Sequence, residues 1–276
     1  MDEDPEFFPP TVYPITRSIY PGGEINIEVP ETPLSGTNRV TLVARVENAS
    51  AVMALLLAAE VLKSRKCTTT LVLPYIPYAR QDRRDIPARA HSLRVFAGLL
   101  NSCGFEDVWC LDPHSTVSEA LIPNLKKLSL RPYIDYCVTQ FRPDVFILPD
   151  AGSLTRYYNV LSKRGIEMIT AFKHRDSKTG EITGVNINAT EEQIKDKRIL
   201  IVDDICDGGR TFIELVQAFS PYNPSAVGLF TTHGIFSKGL EPLRNAGISY
   251  VTATNSVREI PGITIPIFIP QHVYTH

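Results

Sequence analysis

The chain has 276 residues, of which 43% are hydrophobic and 21% charged, enough for one large or two medium globular domains. A formal net charge of −2 excludes a general attraction to nucleic acid, so any anion site must be local. No apolar run approaches membrane-spanning length, since Ala51–Leu62 is interrupted by Glu60, and the acidic opening Met-Asp-Glu-Asp-Pro-Glu does not read as a secretory signal. The five cysteines (Cys67, Cys103, Cys110, Cys137, Cys206) show no zinc-ligand spacing, so reduced thiols in a cytoplasmic compartment are expected.

In chain order, Arg39–Val46 reads as a strand, Ser50–Lys63 as a helix and Thr69–Leu73 as a buried strand. Arg89–Asn101 reads as a helix and Val108–Leu111 as a short strand. After Arg131-Pro132 come a strand at Asp144–Leu148, a helix at Leu154–Lys163 and a strand at Glu167–Ala171. The apolar run from Arg198 predicts a further strand, with a helix opening near Thr211. Ala226–Thr231 and Tyr250–Thr254 follow as strands, with a helix near Gly239–Asn245 between them. This alternation predicts an α/β fold of largely parallel sheets flanked by helices. Thr69–Pro74 and Val145–Pro149 both end a strand in Leu-Pro before a polar loop, which suggests two related domains, 1–135 and 136–276. Ile263–Ile269 is expected to return to the first domain or to reach a partner subunit. Lys173–Gly184, polar and carrying Gly180 and Gly184, reads as a mobile hairpin or lid.

Two segments carry the chemistry. In Arg198–Phe212 a buried strand runs into Asp203-Asp204-Ile-Cys-Asp207-Gly208-Gly209-Arg210-Thr211. Adjacent carboxylates at a strand end are costly to bury without partners, while the Gly-rich turn and helix N-terminus favour a phosphate. Carboxylates beside a phosphate cradle suit a sugar phosphate; an acidic turn with no ligand is the plainer reading. In Leu73-Pro74-Tyr75-Ile76-Pro77-Tyr78-Ala79-Arg80-Gln81-Asp82-Arg83-Arg84-Asp85, prolines fix the chain direction and tyrosines offer flat faces. Arg80, Arg83 and Arg84 suit phosphate oxygens, although the segment alone reads equally well as a solvated basic loop.

Together these segments resemble the ribose-phosphate pyrophosphokinase (PRPP synthetase) family. The resemblance extends in order over most of residues 20–237 and implies two tandem phosphoribosyltransferase-like domains, the first with the ATP-binding loop and the second with the ribose-phosphate loop and catalytic lid. It implies that Arg80, Gln81 and Asp82 contact ATP. His114 in Asp112-Pro113-His114 would sit by the triphosphate and its Mg²⁺, and Asp150 in Pro149-Asp150-Ala-Gly152 would organise the metal and ribose region. Lys173 and Arg175, in Lys173-His174-Arg175, would be catalytic with His114. Asp203, Asp204, Asp207, Gly208, Gly209, Arg210 and Thr211 would hold the ribose-phosphate acceptor. The implied reaction is attack of the anomeric hydroxyl of a 5-phosphorylated ribose on the β-phosphorus of ATP, releasing AMP, with Mg²⁺ on the phosphates. Thr232-His233-Gly-Ile-Phe236-Ser237 matches a family segment expected to be mostly structural. A dimer-based, even hexameric, homo-oligomer is implied, because Tyr20 and Glu24 would read adenine across a subunit interface.

Two departures stand out. The family's Phe-Ser-Asp-Gly-Glu is Tyr20-Pro21-Gly22-Gly23-Glu24, which puts the adenine contact in doubt at Gly22. Its Asp-Thr-Gly-Gly-Thr is Asp207-Gly208-Gly209-Arg210-Thr211, losing a phosphate-gripping hydroxyl and gaining a cation. The second change favours an acceptor larger than ribose 5-phosphate, namely ADP-ribose, converted to its pyrophosphate for NAD⁺ synthesis in phage-type relatives, with ribose 5-phosphate, for PRPP synthesis, standing close behind it. A non-catalytic regulatory relative would have lost the lid cations or metal-site groups, and a PRPP-consuming phosphoribosyltransferase would have no use for Arg80-Gln81-Asp82.

Overall fold

The computed structural model describes residues 12–31, 39–175 and 182–274, with the side chains of 173–175 and 182–186 outside the description. The chain divides into two compact units, one running to Leu128 and resumed from Ile267, the other spanning Ser129–Pro266.

The first unit opens with β1 (Thr16–Ile19) and β2 (Ile25–Glu28), an antiparallel hairpin whose tight turn places Gly23 at φ +92°. There follow β3 (Arg39–Val43), α1 (Ala49–Ser64), β4 (Thr68–Val72), α2 (Ser92–Ser102), β5 (Asp107–Leu111), α3 (Thr116–Leu121) and β6 (Leu125–Leu128). Strands β3, β4, β5 and β6 pair in that order, all parallel. Helix α1 starts where the Asn48 side chain accepts a hydrogen bond from Ala51 N at 2.9 Å. It buries Val52, Leu55, Ala59 and Leu62 along one stripe. Leu71, Leu73, Leu93 and Leu100 form the centre of this core, each burial contributing roughly 1.5–3 kcal/mol.

The second unit contains α4 (Arg131–Phe141), β7 (Val145–Leu148), α5 (Ala151–Leu161), β8 (Glu167–Arg175), β9 (Ile182–Ile187), α6 (Glu191–Ile194) and β10 (Arg198–Cys206). It continues with α7 (Arg210–Phe219), β11 (Ala226–Gly234), α8 (Glu241–Asn245), β12 (Ile248–Thr254) and β13 (Thr264–Ile265). The position 135/136, where the sequence suggested a boundary, lies within α4. The apolar segment 263–269 is shared: β13 pairs with β12, while the chain from Ile267 groups with the first unit. There Thr41 Oγ1 donates to Val273 O at 3.1 Å, and His272 meets Trp109 edge to face.

The seven-stranded sheet has the order β13-β12-β11-β10-β7-β8-β9, parallel except for the β8–β9 pair. The chain leaves β7 toward β8 on one side, then returns to place β10 on the other side and proceeds to β11 and β12. The carboxyl ends of β7 and β10 therefore flank a topological switch point, where an open α/β sheet leaves a crevice for a ligand. The expected hairpin at 173–184 is built on the antiparallel backbone pairing of Lys173 with Val185 and Arg175 with Ile182; residues 176–181 of it lie outside the described residues. Among the described residues, no helix is long and apolar enough to cross a membrane.

Candidate functional site

The switch point of the second unit gathers the acidic residues singled out from the sequence. Asp150 follows β7 and caps α5, its Oδ1 accepting from Ser153 N at 3.0 Å and Ser153 Oγ at 2.9 Å. Gly152 leaves room for this, since a Cβ there would stand 3.2 Å from Asp150 Oδ1. On β10, Asp203 pairs in register with Thr231 of β11 and accepts a hydrogen bond from Asp204 N at 3.0 Å. The two neighbouring carboxylates differ in environment. Asp204 is buried and ion-paired with Arg156 of α5 (Nη1–Oδ1 2.9 Å), whereas Asp203 is half-buried. Arg156 was not foreseen, and nothing in its local sequence marks it.

Burial, and next the charge of Asp204, push the Asp203 carboxyl up to about 8; Asp150 adds to this, while the Asp204 N–H and Arg156 oppose it. The folded chain thus keeps a proton on Asp203 that the unfolded chain loses near pH 4, so stability from this group falls as pH rises from about 4 to about 8 and is level above. Asp203→Asn is expected to gain Tm over the parent in Mg²⁺-free buffer, by a margin that widens between about pH 5 and pH 8 and then holds. A margin independent of pH would contradict a raised Asp203 carboxyl.

The turn after β10 is short because the strand runs on through Cys206. Gly209 caps α7 at φ +79°, and a Cβ there would meet Leu243 Cδ2 at 2.8 Å, so both backbone and space require glycine. No side chain caps α7, which leaves its first N–H groups, at Arg210 and Thr211, directed at the crevice for an anion. Asp207 and Gly208 are partly exposed; the Asp207 carbonyl accepts from Ser237 N at 3.1 Å. The Arg210 side chain is 80% exposed and turned along α7 to Glu214 (Nε–Oε1 2.5 Å). Cys206 is fully buried, and burial, then Asp203 and Asp207, push its thiol up to about 12, so it packs as a small apolar residue. His233 is likewise buried, its Nδ1 2.8 Å from Ser256 Oγ, in keeping with a structural segment.

In the first unit, the chain leaving β4 is held by hydrogen bonds from Leu73 N to Trp109 O at 2.8 Å and from Leu111 N to Pro74 O at 3.0 Å. Ile76, Pro77 and Ala79 are buried, while Tyr78 takes the left-handed conformation at φ 63° and packs its ring 6.1 Å from Phe96. A strained non-glycine residue at the end of a parallel strand is a feature of functional loops. It turns Arg80 and Gln81 outward; both are exposed, and Asp82 is half-buried. Asp112, also left-handed at φ 47°, is buried after β5, with His114 half-buried beyond it. Tyr20 and Glu24 are exposed at either side of the β1–β2 turn, joined by Tyr20 N to Glu24 O at 2.8 Å.

Among the described residues, no group of three or more His, Cys, Asp or Glu side chains forms a metal cage. The available donors are hard oxygens on one or two carboxylates, which suits Mg²⁺ carried by a polyphosphate rather than a metal held by protein alone. Asp203 fits such an ion, because a nearby cation favours the charged form that burial, and next the charge of Asp204, disfavour.

Residues 10–104 match the family described as the N-terminal domain of ribose phosphate pyrophosphokinase, and residues 130–251 match the phosphoribosyl transferase domain. The chain belongs to the ribose-phosphate pyrophosphokinase family. Its relatives include the ribose-phosphate pyrophosphokinase of Sulfurisphaera tokodaii, 26% identical over 90% of this chain and 86% of that one. Ribose-phosphate pyrophosphokinase 4 of Saccharomyces cerevisiae is 29% identical over 72% of this chain and 61% of its own length. The fold is that of phosphoribosylpyrophosphate synthetase from Mycobacterium smegmatis, with a TM-score of 0.75 over 93% of this chain and 87% of that one at 21% identity. The family is one of diphosphotransferase enzymes with phosphoribosyltransferase-type α/β domains, and both halves of this chain carry its parts.

Proposed function

We propose that this protein transfers the β,γ-pyrophosphate of ATP to the anomeric hydroxyl of a 5-phosphorylated ribose and releases AMP. The observation that carries the reading is the β7/β10 switch point, where half-buried Asp203 stands beside the uncapped N-terminus of α7. Asp203 accepts hydrogen bonds from ribose hydroxyls, while the N–H groups of the 208–211 turn take the 5-phosphate. Asp204, held by Arg156, fixes the strand end that presents Asp203. Arg80, Gln81 and Asp82 bind ATP, with Tyr20 and Glu24 as adenine contacts contributed in an oligomer. The acceptor oxygen forms a bond to the β-phosphorus as the bond from that phosphorus to the α,β-bridging oxygen breaks; AMP keeps that oxygen and the hydroxyl proton passes to water. Lys173 and Arg175 stabilise the charge gathering on the phosphate oxygens. Mg²⁺, when bound, neutralises phosphate oxygens; His114 on the ATP side and Asp150 and Asp203 on the ribose side are its candidate partners.

The names of the relatives favour ribose 5-phosphate as acceptor. ADP-ribose is a second reading, supported by the exposed Arg210 guanidinium at the rim of the turn, which suits a second phosphate or a base. AMP release is to be followed with ATP, Mg²⁺ and each acceptor in turn. The proposal expects AMP only when an acceptor is present; no acceptor-dependent AMP from either would overturn it. If ADP-ribose is preferred, Arg210→Ala should raise its KM alone, and faster turnover with ribose 5-phosphate would remove the second reading.

A further inference from the structure

The turn at 207–209 is tied to the segment that leaves β11. Ile235 N and Phe236 N donate to Cys206 O at 2.9 and 3.0 Å, and Ser237 N donates to Asp207 O at 3.1 Å. The next residue, Lys238, lays its side chain across Gly208: its Cγ, Cδ and Cε stand 3.8, 3.6 and 3.5 Å from where a Cβ on Gly208 would be. Gly208, unlike Gly209, does not use a left-handed backbone, so what its missing side chain provides is the bed for this stem. Lys238 is exposed, and no carboxylate among the described residues pairs with it. A cation beside a helix N-terminus is unfavourable by itself, because the helix end is already positive. The same place becomes favourable for both when an anion binds between them. Arg210 differs: it points along the outer face of α7 and is engaged by Glu214.

We propose that Lys238, seated over Gly208, is the cation that binds the acceptor's 5-phosphate group and sets the affinity for it. The inference rests on the acceptor site described above and extends it to a residue outside the turn. It holds for a phosphate monoester or a diphosphate, since an ammonium group meets either as a point charge. Gly208 and Lys238 act as a pair, because the place of a Cβ at 208 is already in van der Waals contact with the lysine stem, and a longer side chain there competes with it for the same space.

The test is steady-state AMP release by the full chain with ATP and Mg²⁺, varying ribose 5-phosphate and ADP-ribose separately. Lys238→Ala should raise the acceptor KM roughly ten- to a hundredfold, with kcat and the KM for ATP changed less than about twofold. Lys238→Arg should recover much of the loss. Gly208→Leu, which brings bulk but no hydroxyl to the phosphate, should raise the acceptor KM, and adding it to Lys238→Ala should cost little more, since both remove the same contact. An acceptor KM within about twofold of the parent in Lys238→Ala, or equal losses toward ATP and acceptor, would overturn the inference while leaving the pyrophosphokinase reading standing. A parent protein that makes no AMP with either acceptor would overturn both.

Discussion

Arg156→Ala is expected to destabilise the second unit by about 3–5 kcal/mol, because it takes the ion-pair partner from a buried carboxylate. Asp204 has a side-chain exposure of 6% and Arg156 one of 19%, so water replaces little of the lost pairing. Differential scanning calorimetry should show a Tm lower by on the order of 10 °C. Asp204→Asn in the Arg156→Ala background should recover part of the loss, since it removes the buried charge that Arg156 had compensated. A loss below about 1 kcal/mol would show that the pair is effectively solvated and that Arg156 does not hold the strand end.

Lys173→Ala is the second large effect. Strand β8 and its antiparallel partner β9 extend the sheet beside β7, and the backbone of Lys173 lies in that hairpin. Charge accumulates on the bridging and non-bridging oxygens of ATP only as the bond to AMP breaks, so a cation serving that moment acts on kcat. The substitution should lower kcat by roughly a hundred- to a thousandfold while the KM values for ATP and acceptor move only a few-fold. Arg175→Ala should behave in the same direction. A kcat within about threefold of the parent would remove the hairpin from the chemistry.

The parallel core was legible because its strands are unbroken apolar runs, as in Val145–Leu148 and Ile199–Val202, which only a sheet covered on both faces requires. β1 escaped notice because Thr16–Ile19 is exposed at every position and shows no alternation. β6 was hidden by Lys126 and Lys127, the charges that blunt a sheet edge. The helix α4 did leave a signal, since Tyr133, Ile134, Cys137 and Phe141 share one face, but the opening Arg131-Pro132 drew attention as a break rather than a start.

At the candidate site, local motifs marked the turn, Asp150 and the loop at Arg80, because each sits within a few residues of its own strand end. What joins the turn to Asp150 depends on strand order. The sequence lists β7, β8, β9 and β10 in turn, and only the sheet reveals that β7 and β10 are neighbours. Arg156 and Lys238 were invisible for the same reason: Arg156 reaches Asp204 on β10, and Lys238 reaches the turn, each from another element. In the sequence Gly208 reads only as a lost phosphate-gripping hydroxyl; in the structure the stem of Lys238 lies against it.

The central claim is that pyrophosphate moves as one unit from ATP to a ribose hydroxyl, and phosphorus NMR of the purified protein with ATP, Mg²⁺ and ribose 5-phosphate or ADP-ribose tests it most directly. AMP should appear together with a new pair of coupled diphosphate resonances on the acceptor, formed in equal amounts. ADP with a singly phosphorylated acceptor, or unchanged ATP with both acceptors, would contradict it.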